Sequence, residues 1–256
     1  MDLGLDGRVY VVSGGSKGLG FATAQALVGE GARVVLIGRT ADDVNVAADA
    51  LGGAAAGLAA DLGDADTASA AVTLAMTRFG RLDGGLISVG GPPAGTPLTT
   101  TDEQWRSAFE TVFLGSLRLA RTLCEGIAAA GTSATGSIAW VLSTSAVEVF
   151  PGLTTSNGLR PGLAMLITDL ADEVGPSGIR VNGLLPGRIA TARLAALDES
   201  TGDAAASRER ASARIPLRRY GEPTEFGRVA AFVLSPAASY LTGSLVRVDG
   251  GATRHP

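Results

Sequence analysis

A strand, a glycine-rich loop and a helix follow one another at the start of the chain, and they constrain the fold more than any other stretch. The apolar run Arg8–Val12 predicts a first strand, and apolar residues at helical spacing predict a helix from Gly18 to about Glu30. A second apolar run at 33–37 predicts the strand that follows. Strand, helix and strand in this order predict a βαβ unit with two parallel strands.

The loop inside this unit has glycines at positions 14, 18 and 20. Glycine permits a sharp turn and a close helix, whose first turn presents unpaired N–H groups and the positive end of its dipole. This predicts a phosphate site, although the spacing is one residue longer than the usual dinucleotide fingerprint and a purely structural turn is the alternative. The residues expected to contact a bound dinucleotide here are Ser13, Gly14, Ser16, Lys17, Gly18, Leu19 and Gly20.

The rest of the chain alternates short apolar runs with amphipathic segments. Strands are predicted at about 33–37, 56–60, 85–89, 137–142, 180–185 and 244–248, and helices at about 41–51, 65–79, 102–129, 154–174 and 223–235. This pattern predicts an α/β fold, namely a Rossmann-like doubly wound parallel sheet with helices on both faces, in a single domain. Ligands of such sheets bind beyond the C-terminal strand ends. No regular element is predicted at 188–219.

Composition excludes several kinds of protein. The chain has one cysteine, Cys124, and one histidine, His255, so we expect no disulfide, no metal site and no Ser-His-Asp triad. Cys124 is expected to be a small buried apolar residue. A net charge of −4 argues against nucleic-acid binding. No apolar run predicts a membrane span or a signal peptide, so the expected location is cytoplasmic, without a membrane partner.

The end of the second strand bears on the choice of coenzyme. Arg39 lies there, and Lys17 lies in the glycine loop, without the carboxylate that binds the ribose hydroxyls of NAD. Two cations favour a 2′-phosphate, so NADP(H) is preferred and NAD(H) is the alternative; two solvated surface charges would look the same. Asp61, after the third strand, is a candidate acceptor for the adenine amino group, or a carboxylate that leads a helix.

Taken in order, these motifs resemble the short-chain dehydrogenase/reductase family over nearly the whole chain. The glycine loop resembles the family's T-G-x-x-x-G-x-G with Ser13 for threonine, Ser88-Val89-Gly90 resembles its N-A-G turn, and 185–191 resembles its P-G-x-x-x-T loop. The resemblance implies an NADP(H)-dependent oxidoreductase acting on a small carbonyl or alcohol substrate, similar to 3-oxoacyl reductases. It further implies coenzyme contacts from Asp61, Leu62, Ser88, Gly90, Pro186, Gly187, Ile189 and Thr191.

The resemblance also implies a homo-oligomer, a tetramer or a dimer. The surfaces that resemble family contact regions are a helical face near Gly115–Arg121 and the segment Gly243–Gly251. The segment 188–219 corresponds to the family's substrate lid. The six arginines between 193 and 219 suggest a mobile cover with a preference for an anionic or carrier-linked substrate, while mixed charges on solvated helices are the alternative.

The catalytic positions of the family are only partly present. Ser143 matches the serine after strand five, but the position of the family's tyrosine is Ser156 and that of its lysine is Arg160. The position of the helical asparagine is Val112. Ser156–Arg160, together with the G-G-P-P run at 90–93, resembles a subset of the family that lacks the Tyr-x-x-x-Lys pair.

This replacement changes the chemistry. Serine is a much weaker acid than tyrosine, and arginine keeps its proton at useful pH, so a general acid worth about 10²- to 10⁴-fold in rate is missing. We expect Ser143 and Ser156 to orient the substrate oxygen, Arg160 to stabilise its charge and water to supply the proton. The alternatives are a catalytically weak or inactive NADP(H)-binding sensor or assembly protein, and different chemistry such as dehydration.

Pro161 lies inside the helix that carries Ser156 and Arg160. Because proline removes a helical hydrogen bond and crowds the preceding turn, the sequence predicts a bend or a late helix start near Asn157–Gly158.

Overall fold

Seven strands form one parallel sheet in the computed structural model, which describes residues 1–91 and 94–254. The strand order is β3-β2-β1-β4-β5-β6-β7. The strands are β1 (Val9–Ser13), β2 (Arg33–Gly38), β3 (Ala55–Ala59), β4 (Gly84–Ser88), β5 (Ser137–Val141), β6 (Arg180–Pro186) and β7 (Leu245–Val248). The predicted α/β class and doubly wound parallel sheet are confirmed.

Helices cover both faces of the sheet. Their bounds are α1 (Gly18–Gly29), α2 (Ala41–Leu51), α3 (Thr67–Phe79), α4 (Asp102–Ala108), α5 (Gly115–Ala129), α6 (Thr154–Val174), α7 (Ala192–Glu199), α8 (Ala204–Ser212) and α9 (Pro223–Leu234). Residues of α1, α2 and α9 share one apolar core, and residues of α3, α5 and α6 share the other. Among the described residues, no helix is long and apolar enough to span a membrane.

The first strand shows how the two cores are separated. Val9 and Val11 pack into the core under α3, α5 and α6, whereas Tyr10 and Val12 pack into the core under α1 and α9. Successive side chains of a strand point to opposite faces, so a strand covered on both faces is apolar throughout. Polar groups of the sheet are therefore concentrated at the strand ends.

The predicted helix 102–129 consists of three parts. Between α4 and α5 the residues Phe109–Leu114 form a π-helical turn, and Val112 lies buried inside it. Gly115 follows this turn, and a Cβ there would overlap the carbonyl oxygen of Leu62. The glycine thus lets the helix approach the loop after β3, which brings Asp61 and Leu62 to the edge of the sheet.

The next helix begins where the predicted range 154–174 puts it, and the late start predicted near Asn157–Gly158 is wrong. Helix α6 begins at Thr154 and continues through Pro161 to Val174. Its first turn is fixed from outside, because the amide of Thr154 donates to the carbonyl of Gly95 and the side chain of Asn157 bonds both backbone groups of Phe150. These contacts hold the turn ahead of the proline, whose ring removes only one backbone donor.

The segment 188–219 contains α7 and α8, where the sequence predicts no regular element. Asp198 is buried, and its carboxylate accepts hydrogen bonds from Tyr220 Oη at 3.0 Å and Ser207 Oγ at 2.9 Å. The guanidinium groups of Arg188 and Arg208 lie over the Tyr220 ring, 5.7 and 4.8 Å from its centroid. This cluster joins the two helices to the loop after β6. Two features noted in the sequence, the histidine at 255 and the prolines of the G-G-P-P run, lie outside the described residues.

Cys124 is expected to react slowly in the native protein. Burial, with smaller contributions from the carboxylates of Glu173 and Glu125, raises the pKa of its thiol to about 11. The thiolate is the reactive form, so at about pH 8 alkylation by iodoacetamide should be roughly 100-fold slower in the native state than in guanidinium chloride. Equal rates in the two states would contradict this prediction, and a Cys124→Ser variant gives the background rate.

Candidate active site

The glycine loop between β1 and α1 has the backbone that the sequence predicts. Gly14 and Gly18 have φ values of 58° and 56°, in the left-handed region that favours glycine. A Cβ on Gly20 would overlap the carbonyl oxygen of Gly14, so only glycine allows α1 to start this close to the loop. At Gly18 the position of a Cβ is open except for the methyl group of Thr191 at 3.7 Å. The loop thus presents open backbone to a ligand.

Ser13 has a different role from the other loop residues. It is fully buried, and its Oγ accepts from the amide of Ser88 at 2.8 Å and donates to the carbonyl of Ser88 at 2.9 Å. The serine therefore joins the C-terminal ends of β1 and β4. Its hydroxyl is engaged within the protein, and the prediction that Ser13 contacts a dinucleotide gains no support from this geometry.

The region for a coenzyme 2′-phosphate contains a carboxylate that sequence reasoning missed. Arg39 is exposed after β2, as predicted, but Lys17 Nζ forms an ion pair with Asp43 Oδ2 at 2.7 Å. The expectation of two cations without a carboxylate is therefore wrong. The available signal was the acidic pair Asp42-Asp43 in the first turn of α2, where the helix dipole favours negative charge.

The adenine segment is shaped by its own hydrogen bonds. Asp61 Oδ1 accepts from the amide of Gly63 at 2.8 Å, and the Asp61 carbonyl accepts from Thr67 Oγ1 at 2.6 Å. Asp61 is only partly buried, whereas the side chain of Leu62 is in the core. Ser16 lies beside Gly38 at the end of β2, with its Oγ 3.0 Å from the position of a Cβ there. These residues line the same edge of the sheet as the glycine loop.

The loops after β4 and β6 complete this edge. A Cβ on Gly90 would meet nothing within 4 Å, so space is open beside it. Beyond Pro186, Gly187 packs on Asp249, and Ile189 is buried and pairs with Gly221. Thr191 Oγ1 accepts from the amide of Leu194 at 3.3 Å and caps α7, with its methyl group towards Gly18.

Three serines form a chain of hydrogen bonds after β5. Ser143 is partly buried, and its Oγ accepts from the amide of Ser145 at 3.1 Å. The hydroxyl groups of Ser145 and Ser156 lie 2.9 Å apart, and both side chains are buried. The structure thus brings Ser143 and Ser156 together through Ser145. Of the three residues 143–145, only Ser143 has a role predicted from the sequence.

Arg160 is a buried cation behind these serines. It is 5% exposed, its Nη1 donates to the carbonyl of Val141 at 2.8 Å, and its Nε has no hydrogen-bond partner. Burial and, to a smaller extent, the positive charge of Arg193 together lower the pKa of Arg160 to about 10. Arg160 still carries its charge at neutral pH and donates to whatever oxygen lies beside it.

The chain has three tyrosines, and their surroundings differ. Tyr10 is in the core, where its hydroxyl donates to the carbonyl of Leu234 and burial raises its pKa. Tyr220 is held by Asp198, and burial raises its pKa as well. Tyr240 is fully exposed. Among residues 1–91 and 94–254, no phenol forms a hydrogen bond with Ser143 or Arg160.

The fold and this edge define a dinucleotide-binding α/β oxidoreductase, and comparison with known proteins agrees. Residues 14–253 match the family model described as enoyl-(acyl carrier protein) reductase. The chain is 32% identical to 2,5-dichloro-2,5-cyclohexadiene-1,4-diol dehydrogenase of Sphingobium indicum, with 97% of this chain and 98% of the relative covered. It is also 32% identical to cis-4-hydroxycyclohexanecarboxylate dehydrogenase of Sinomonas cyclohexanicum, with 96% of each covered.

A solved structure shows the same similarity. L-sorbose reductase from Gluconobacter frateurii, determined in complex with NADPH and L-sorbose, is 30% identical with a TM-score of 0.94, and both chains are covered completely. The chain belongs to the short-chain dehydrogenase/reductase family. The open backbone at Gly18 and Gly90 fits the nucleotide coenzyme that this family of oxidoreductases uses.

Substitution of Gly20 tests the close approach of α1 to the loop. In Gly20→Ala the new Cβ overlaps the Gly14 carbonyl, so the free energy of unfolding should fall by about 1–3 kcal/mol and the affinity for NADPH should also fall. Gly29→Ala, at the other end of the same helix, meets nothing within 4 Å and is the matched control. Denaturant unfolding and coenzyme titration measure both effects. Equal behaviour of the two variants would contradict the argument.

Proposed function

We propose that this protein is an NADP(H)-dependent oxidoreductase for a carbonyl or alcohol substrate, with an active site formed by Ser143, Ser156 and Arg160. The observation that carries the proposal is the position of these residues at the edge where the open backbone of Gly18 and Gly90 lies. The named relatives that act on alcohols and a sugar support the class of substrate. Among the described residues no tyrosine hydroxyl bonds Ser143 or Arg160, and this supports a variant mechanism.

The serines and the arginine have distinct parts in this mechanism. The bound nicotinamide supplies or accepts the hydride. Ser143 donates a hydrogen bond to the substrate oxygen, and the charge of Arg160 stabilises negative charge that develops there. Ser156 acts indirectly. Its hydroxyl bonds the hydroxyl of Ser145, and the backbone amide of Ser145 donates to Ser143 Oγ and so orients it. In reduction, water supplies the proton to the oxygen.

A second candidate is a coenzyme-binding sensor or assembly protein with little turnover. The burial of Ser156, the engagement of Tyr10 and Tyr220 elsewhere and the full exposure of Tyr240 favour it, because they limit proton transfer at the site. The two candidates differ in one measurement. Stoichiometric binding of NADPH without oxidation of the coenzyme by any ketone or acyl thioester would support the second.

A homo-oligomer, a tetramer or a dimer, is part of the proposal. Phe109 and Met165 are exposed apolar residues on neighbouring helical elements, with 41% and 72% exposure, and β7 is an edge strand. The predicted face at Gly115–Arg121 is narrower than expected, because Leu119 and Ala120 pack in the core and only Arg121 is exposed.

Serine substitutions test the active site. Ser143→Ala should lower kcat by about 10- to 100-fold, because it removes the donor to the substrate oxygen. Ser156→Ala should lower kcat by about 10-fold, because it removes the hydrogen bond to Ser145 that helps to orient Ser143. Oxidation of NADPH over a panel of ketones and acyl thioesters is the measurement, with coenzyme affinity determined separately. Ser156→Thr should restore activity if the hydroxyl positions the turn.

Ser69→Ala is the control for these variants. This exposed hydroxyl on α3 bonds only to the backbone carbonyl of Asp66, away from the site. Its activity should equal that of the natural protein. Full turnover by Ser156→Ala would exclude a role for Ser156.

The coenzyme preference is tested at Arg39 and Asp43. Arg39→Gln should lower the affinity for NADPH by about 10-fold and leave the affinity for NADH unchanged, because only NADPH carries the 2′-phosphate. Asp43→Asn should raise the affinity for NADPH, since it removes the negative charge beside Lys17. Arg33→Gln, at the opposite end of β2, is the control. If Arg39→Gln weakened both coenzymes equally, Arg39 would not select for the phosphate.

A further inference from the structure

Arg193, the second residue of α7, reaches across the C-terminal edge of the sheet. Its Nη1 donates to the carbonyl of Gly91 at 2.6 Å, and a Cβ on Gly91 would overlap the guanidinium. Arg193 also follows Thr191, which faces the glycine loop at Gly18. The guanidinium is therefore placed between the loops that leave β4 and β6, on the side where the proposed substrate oxygen lies.

Arg160 contributes a second positive charge to the same region. It is buried and has an unpaired Nε, and within the described part of the chain no carboxylate lies at ion-pair distance from it. The charge of Arg193 is close enough to lower the pKa of Arg160, in addition to the larger effect of burial. Burial also lowers the pKa of Arg193.

Arg193 is exposed at this edge, where a substrate can reach its guanidinium, and Arg160 is buried in the helix that carries Ser156. A buried cation without an opposite charge is costly, and an anionic ligand offsets that cost when it binds. Arginine suits this task because its planar N–H donors pair with two oxygens of a carboxylate or a phosphate at once. The Nε of Arg160 has no hydrogen-bond partner, so the protein itself leaves part of the hydrogen-bonding capacity of this guanidinium unused.

We propose that Arg193 determines substrate specificity by binding an anionic group, a carboxylate or a phosphate, of the substrate, with the charge of Arg160 adding to the attraction. This inference rests on the proposed oxidoreductase function, since it concerns the substrate of the same site. It assigns Arg193 to the substrate and not to the coenzyme, whose 2′-phosphate would lie at Arg39 on the far side of the glycine loop.

Matched pairs of probes test the proposal. They are 3-oxobutanoate with its methyl ester, and dihydroxyacetone phosphate with dihydroxyacetone, each assayed for NADPH oxidation. The natural protein should prefer the anionic member of at least one pair. A preference in the first pair would indicate a carboxylate, and a preference in the second pair would indicate a phosphate. Arg193→Gln should lower kcat/KM for that anion by roughly 10- to 100-fold, mainly through KM, and leave its neutral partner unchanged.

Two further variants separate charge from loop structure. Arg193→Lys keeps the charge and should retain part of the preference for the anion, even if the contact to Gly91 is lost. Arg210→Gln removes an exposed arginine of α8 in the same lid segment and should behave like the natural protein. An equal loss of preference in Arg193→Gln and Arg210→Gln would indicate that the overall positive charge of the segment attracts the anion, and it would overturn the assignment to Arg193.

Binding measurements keep this test independent of turnover. If no probe oxidises NADPH, the proposed function fails, and calorimetry of the same pairs on the protein saturated with NADP⁺ decides the inference. Tighter binding of the acid or phosphate, lost in Arg193→Gln, would uphold it. Equal binding of acid and ester, or no binding of any anion, would overturn it. Weaker NADPH binding by Arg193→Gln with an unchanged preference would assign Arg193 to the coenzyme and also overturn it.

Discussion

Helices cover both faces of the parallel sheet, and this burial decides where polar side chains lie. In β1 the side chains alternate between two apolar cores, so neither face of the strand has room for a polar group. The C-terminal strand ends are free of this constraint, because there the chain turns into loops and helix N-termini. Ser13 shows the transition, since it is fully buried at the end of β1 and directs its hydroxyl to the neighbouring backbone of β4.

The loops at this edge approach one another through glycine. Gly20 allows α1 to start against the loop, Gly115 allows α5 to approach the loop after β3, and Gly91 lies under the side chain of Arg193. In each case a Cβ would overlap an atom of a neighbouring segment. Other glycines of this edge, Gly18 and Gly90, leave space for a ligand. The sequence alone does not distinguish them from the glycines that allow close packing.

The chemistry of the edge differs from that expected of a site with a tyrosine and a lysine. Ser143 Oγ accepts from the backbone amide of Ser145, the hydroxyl of Ser145 bonds that of Ser156, and the charge comes from guanidinium groups that keep their protons at neutral pH. Such a site stabilises negative charge well and transfers protons poorly. This contrast links the proposed reaction, in which water supplies the proton, with the proposed selection of an anionic substrate.

The sequence by itself determined the strands, most helices and the glycine loop, because these depend on apolar periodicity and on local backbone freedom. It also indicated Ser143, Ser156 and Arg160 as candidate active-site residues. Only the tertiary structure revealed the ion pair of Lys17 with Asp43, the contacts of Thr154 and Asn157 that hold the first turn of α6, and the place of Arg193 on Gly91. Each joins segments that are not predicted to touch, and contacts between segments depend on how helices pack on the sheet, which no local pattern encodes.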